Sequence, residues 1–179
     1  MKNIILIAII ILTFFISCRK STLKITEPGP SFFLDKMKGG DYTNGDGKDS
    51  FKVSNDGKNI TIGSNNYTFE SDIMGIGGIY QDTNSSNYVG VFPIGGSMHT
   101  VSMSKEQKEA VTKIIDVVGK ENSLNVIKEL SNGNGGKLDT EAITKNLDDK
   151  KKEEVKKIIE GYKLDGKDFG KYEKYEKKT

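Results

Sequence analysis

The sequence predicts an α+β fold in which an N-terminal antiparallel β-sheet, built as a meander of hairpins, is followed by C-terminal helices. Residues 51–71 alternate apolar and polar side chains in three short segments joined by turn residues, which is typical of an antiparallel meander. From Ser104 onward, apolar residues recur at helical spacing instead. We therefore expect a β-rich part over residues 31–103 and a helical part over residues 104–164 that packs on it.

The first three strands are predicted from side chains that share one face of the sheet. Apolar or aromatic residues occupy every second position: Phe51, Val53, Ile60, Ile62, Tyr67 and Phe69. Residues 55–57 and 64–66 separate the segments and are rich in the Asn, Asp, Ser and Gly that tight turns favour. Successive strand residues point to opposite faces, so this apolar face needs a cover.

A second β region follows the meander. Residues 78–81 and 88–94 flank a polar loop at residues 82–87, which predicts another hairpin. Val101 and Met103 predict a last short strand. The glycines of this region fit bulges and tight turns better than a phosphate-binding loop, because no Lys-Ser or Lys-Thr pair follows them.

The helical part begins at a predicted capping box formed by Ser104 and Gln107. Val111, Ile114, Ile115 and Val118 then recur on one helix face, which we expect to bury against the sheet or against the apolar face of the last helix. Further helices are predicted around residues 123–130, 139–147 and 149–162. Residues 165–179 form a charged tail that we expect to fray.

Composition argues against several classes of chemistry. With 27 basic and 25 acidic residues, the chain has no net field that favours nucleic acid. His99 is the only histidine and Cys18 the only cysteine, so a zinc site is not expected. The loop at residues 41–49 resembles a calcium loop, but Tyr42 and Val53 stand at its first and last ligand positions. We expect no catalytic residues, no metal and no cofactor, and hence not an enzyme.

The N-terminus has the pattern of a secretory signal peptide over residues 1–17. Lys2 precedes an apolar run at residues 4–16, which is shorter than the roughly 20 residues of a membrane span. Residues 15–18, Phe-Ile-Ser-Cys, resemble the lipobox of bacterial lipoproteins. That resemblance implies cleavage before Cys18 and acylation of its thiol, for example with palmitate, which anchors the chain to a membrane. An ordinary signal peptide that happens to end beside a cysteine is the alternative.

Residues 18–30 are polar and end in Pro-Gly-Pro, which predicts a flexible tether between the anchor and the folded part. The Trp-free, Lys-, Asn- and Ile-rich composition is similar to that of surface lipoproteins from Borrelia-type spirochaetes. Residues 100–111, a strand that enters a capped helix, are loosely similar to the OspE/Erp type. This resemblance implies a surface antigen of the cell outer membrane that binds host complement regulators, and it transfers no binding residue.

Candidate ligand-binding residues lie on the last helix and include Lys151, Lys152, Lys156 and Lys157. They suit a glycosaminoglycan or an acidic patch on a host protein, although interleaved glutamates fit an ordinary solvated face as well. The loops at residues 41–49 and 82–87 are the second candidate surface. We expect a non-enzymatic binding protein for a host protein or matrix component. The alternative is a periplasm-facing structural or envelope-assembly lipoprotein.

Overall fold

The computed structural model describes residues 32–37, 39–132, 138–164, 169–170 and 172–178. The predicted signal peptide, the lipidation residue Cys18 and the predicted tether lie outside the described residues. The helices are α1 (Phe32–Lys36), α2 (Lys105–Val118), α3 (Lys120–Asn132), α4 (Thr140–Thr144) and α5 (Asp149–Gly161). The strands are β1 (Gly40–Asn44), β2 (Ser50–Val53), β3 (Asn59–Ile62), β4 (Asn65–Ile73), β5 (Gly77–Asp82), β6 (Tyr88–Ile94), β7 (Ser97–Met103) and β8 (Tyr172–Lys177).

The eight strands form a closed antiparallel barrel in sequence order, so the predicted open sheet is wrong. Strand β8 closes the barrel by pairing with both β7 and β1, for instance Met98 with Tyr175 and Tyr42 with Lys177. This strand comes from the charged tail that we expected to fray. Closure pairs the two strand edges that an open sheet would leave exposed.

The apolar face predicted for the meander lines the barrel interior. Phe51, Val53 and Ile60 are buried there, and Ile62, Tyr67 and Phe69 pack against the same cluster. The neighbouring strands add Tyr80, Val89, Val91, Met98 and Tyr175. The sheet thus covers its own apolar face by curling around it, and the helices are not needed for that purpose.

The helices cover the outer face of β5, β6 and β7. Ile79, Phe92 and Val101 point outward and form a second core with α2, α3, α4 and α5. The predicted face of α2 is confirmed, since Val111, Ile114, Ile115 and Val118 are all buried. The capping box of Ser104 and Gln107 is also confirmed, with both reciprocal hydrogen bonds present.

Helix α1 plugs one end of the barrel. Its Phe33 and Met37 are buried in the interior cluster, and the Phe33 amide donates to a carboxylate oxygen of Asp72 at 3.2 Å. The β2–β3 turn closes over the same end, where the buried Tyr80 hydroxyl donates to the carbonyl of Gly57 at 2.7 Å. We call this end of the barrel the plugged end. It also carries the β4–β5 and β6–β7 turns.

Candidate functional site at the loop end of the barrel

The opposite end of the barrel carries the β1–β2, β3–β4 and β5–β6 connections, and we call it the loop end. The two loops named as the second candidate surface, residues 41–49 and 82–87, both lie here because alternate hairpin turns of an antiparallel barrel share an end. The start of α2 lies at the same end, directly after β7. The fold therefore gathers loops that are far apart in sequence into one surface.

A cavity of about 330 Å³ opens at the loop end. Its polar lining includes Asn65, Tyr67, Asp82, Asn87, Ser102 and Gln107. Tyr67 and Asp82 are register partners across β4 and β5, so their side chains lie on the same side of the sheet. Hydroxyl, amide and carboxylate groups dominate this lining, which suits hydrogen bonding to a polar partner.

The pKa values of two tyrosines, Tyr67 and Tyr175, are raised above the ordinary value. Burial raises the pKa of Tyr67, the Asp82 carboxylate raises it further, and a hydrogen bond with Asn65 acts in the opposite direction. Burial also raises the pKa of Tyr175 deeper in the barrel, where its hydroxyl donates to Glu173. The Tyr67 hydroxyl is consequently available as a hydrogen-bond donor at every physiological pH.

The β5–β6 loop is ordered by its own hydrogen bonds. Asp82 accepts from the Asn84 amide at 2.8 Å, and the Asn87 amide donates to the Ser85 hydroxyl at 3.2 Å. Thr83 ties the loop to the start of β4, since its amide donates to the Asn66 carbonyl at 3.0 Å. A loop fixed in this way loses little conformational entropy when a partner binds.

The β1–β2 loop is closed by a reciprocal pair of side chains. The Asp49 amide donates to the Asn44 side-chain oxygen at 3.0 Å, and the Asn44 amide group donates back to the Asp49 carboxylate at 3.3 Å. Lys48 and Asp46 form an exposed ion pair at 3.8 Å. Within the described ranges, no group of three or more His, Cys, Asp or Glu residues is arranged to hold a metal ion.

The predicted lysines lie on α5, away from the lining of this cavity. Acidic neighbours accompany three of them: Lys152 is 3.8 Å from Asp149, Lys156 4.0 Å from Glu160 and Lys157 3.7 Å from Glu153. Lys151 is exposed. Lys152 also borders a shallow cleft whose lining mixes both signs of charge. The helix therefore presents alternating charges to solvent.

His99 lies on the outer face of β7 and is half-buried. Its Nδ1 contacts the Tyr172 hydroxyl on β8, and Lys174 is its register partner. Its ring thus bridges the two strands that meet where the barrel closes.

Sequence reasoning placed Asp82 in the candidate loop at residues 82–87 but missed Tyr67 as a possible site residue, because the alternating pattern assigns Tyr67 to the apolar face of a strand. The signal that could have identified Tyr67 was its position near the end of the strand, next to the turn at residues 64–66. Comparisons with protein-family models, with curated proteins and with solved structures found no significant match. In the part of the chain that the structure covers, no helix is both long enough and apolar enough to span a membrane.

Proposed function

We propose that this chain is a lipid-anchored protein of a bacterial outer membrane, displayed at the cell surface, that binds a host protein or matrix component without catalysing a reaction. The loop end of the barrel carries the proposal. Its β1–β2 and β5–β6 loops are ordered by side-chain hydrogen bonds, and the β5–β6 loop borders a polar cavity. Loops held on a rigid scaffold are a frequent site of recognition in proteins.

The position of the first described residue supports this choice of surface. The described chain begins at Phe32 in α1, which occupies the plugged end. Cys18 precedes Phe32 in sequence, so an acyl anchor there would attach through the end of the barrel opposite to the recognition loops. The connection to the proposed anchor would then join the barrel at the end away from the recognition loops.

The neutral Tyr67 hydroxyl and the amide groups of Asn65 and Asn87 favour a partner that offers hydrogen bonds over one that offers only charge. The loop end and the lysines of α5 therefore predict different kinds of binding. Binding through the loops should depend weakly on salt, whereas binding through exposed lysines should fall steeply as salt screens them.

Two variants of the full chain test the surface. Asn84→Arg with Ser86→Arg adds bulk and charge to the exposed tip of the β5–β6 loop, and the matched variant changes Lys151, Lys152, Lys156 and Lys157 to Gln. Binding to immobilised matrix proteins, serum proteins and heparin is measured for both. We expect the loop variant to lose binding and the lysine variant to keep it. The reverse pattern would assign recognition to α5.

The anchor is tested separately with Cys18→Ala. We expect this change to abolish labelling of the protein by radioactive palmitate and to move it from the detergent phase to the aqueous phase. Unchanged partitioning would contradict the lipid anchor. Protease added to intact cells should remove the wild-type protein, and resistance would favour the periplasm-facing alternative.

A further inference from the structure

The plugged end carries an exposed apolar surface. Among the described residues, Met74, Ile94 and Leu124 are large apolar side chains with exposed fractions of 37%, 38% and 51%. Ile94 and Leu124 line a groove of about 240 Å³, which Ile76 and Pro93 extend. Met74 lies in the β4–β5 turn, next to a glycine that lines the same groove. We call this surface the apolar groove.

The charged residues that line the apolar groove have one sign. Lys36 and Lys120 are the charged residues that line it, and both are exposed. The adjacent acidic residues in the chain, Asp35 and Glu121, are not part of the lining. An apolar centre edged by lysines is complementary to a bilayer surface that carries anionic headgroups, because the lysines meet the phosphates while the apolar side chains enter the acyl boundary.

The start of the described chain lies beside this groove. Helix α1 supplies Lys36 to the lining, and Phe32 is the first described residue. Residues 18–31 can span at most about 50 Å even when fully extended. An acyl chain on Cys18 would therefore hold the groove at high effective concentration beside the membrane, where weak contacts are sufficient for docking.

We infer that the apolar groove is a membrane-docking surface that rests on an anionic phospholipid bilayer and sets the orientation of the barrel. This inference rests on the proposed lipid anchor at Cys18. Docking of the apolar groove holds one end of the barrel against the membrane. The anchor alone limits only the distance between the barrel and the membrane. The loop end, at the opposite pole, is then directed into the surroundings of the cell.

Fluorescence of the acylated full chain in vesicles tests the inference. Cys18 is the only cysteine, so Leu124→Cys offers a single reactive thiol once Cys18 is acylated. This thiol is labelled with an environment-sensitive dye. The vesicles contain phosphatidylcholine, phosphatidylglycerol and a nitroxide-labelled phospholipid as quencher. Ile94→Cys provides a second probe in the groove, and Ser86→Cys at the loop end is the matched control.

We expect the dye at positions 124 and 94 to shift to shorter wavelengths and to be quenched by the nitroxide lipid, and the dye at position 86 to be unaffected. Vesicles that float with the protein but do not quench position 124 would overturn the inference and leave the anchor intact. A blue shift without quenching would also overturn it, since protein would then cover the groove, either residues 19–31 or a second copy. Protein that does not float with vesicles would overturn the anchor and the inference together.

A second measurement tests whether docking requires the lysines and an anionic bilayer. Lys36→Gln and Lys120→Gln should each lower the ratio of docked to undocked barrel about fivefold on anionic vesicles, the contribution expected of one lysine near such a surface. The same changes should have little effect on vesicles of phosphatidylcholine alone. Quenching that is equal on both kinds of vesicle would contradict the choice of an anionic bilayer.

Discussion

Gly78 makes room for the plug at the scale of a single residue. A Cβ atom at this position would stand 2.3 Å from Cε1 of the buried Phe33 ring, which cannot move aside within the closed barrel. Phe69 bounds the same space, and its ring lies 6.2 Å from that of Phe33, centroid to centroid. The absence of a side chain at Gly78 is therefore what admits α1 into the barrel.

Gly78→Ala should destabilise the protein by about 1–3 kcal/mol, the usual cost of adding a methyl group to a packed core. Gly45→Ala is the control, since a Cβ atom there meets nothing within 4 Å. Urea unfolding of both variants measures the difference. Equal midpoints for the two variants would show that α1 is not seated in the barrel as described.

His99 should make stability depend on pH. Burial lowers its pKa, and Lys174 across the β7–β8 pair lowers it further. The unfolded chain therefore takes up the proton first, near pH 6.5, so stability is highest above that pH and falls as the pH drops below it. The melting temperature should decline between about pH 7.5 and about pH 5.5. His99→Gln should remove this slope, and an equal slope in the variant would refute the assignment.

The individual elements were predictable where one side faces a core and the other faces water. This holds for β2, β3 and the face of α2, each of which has a single clear period. The alternating pattern is missing in β8, because its two faces both contact apolar residues. Tyr175 enters the barrel and Tyr172 packs on the outer core, so these two aromatic residues are three positions apart instead of two. Strand β5 is buried on both faces over Gly77–Tyr80 and shows no alternation for a similar reason.

The buried face of α2 provides a test at the scale of an element. Ile115 has an exposed fraction of 1% and lies in the core between the barrel and the helices. Ile115→Ala should lower the free energy of unfolding by about 2–5 kcal/mol through lost burial and the cavity left behind. Leu124→Ala on α3, with half its side chain exposed, should change it by no more than about 0.5 kcal/mol. A similar loss from both would show that α2 does not dock as described.

At the scale of the whole molecule, closure is the property that the local patterns could not reveal. Each strand pattern is the same in an open sheet and in a barrel, and the difference lies in whether the first and last strands meet. Here β1 and β8 pair although they come from opposite ends of the described chain. The cavity at the loop end is lined by residues of β4, β5, β6, β7 and α2, which lie far apart in the sequence, so it could not be predicted, although the β5–β6 loop at its edge was.

Ending the chain after residue 171 should abolish cooperative unfolding, because removal of β8 leaves the edges of β1 and β7 unpaired and takes Tyr175 from the interior. Thermal melting followed by circular dichroism, with light scattering for aggregation, measures this. Lys174→Gln with Glu176→Gln is the control, since it keeps the strand and removes only an exposed ion pair. A truncated chain that melts like the wild type would contradict closure by β8.

The position of β8 in the chain also controls when folding can finish. In the described part of the chain, four helices stand between β7 and β8, so seven strands and these helices are synthesised before the strand that completes the barrel. The edges of β1 and β7 stay unpaired until β8 has been made. For the predicted secretory leader, this delay would coincide with the interval in which an export channel must receive an unfolded chain.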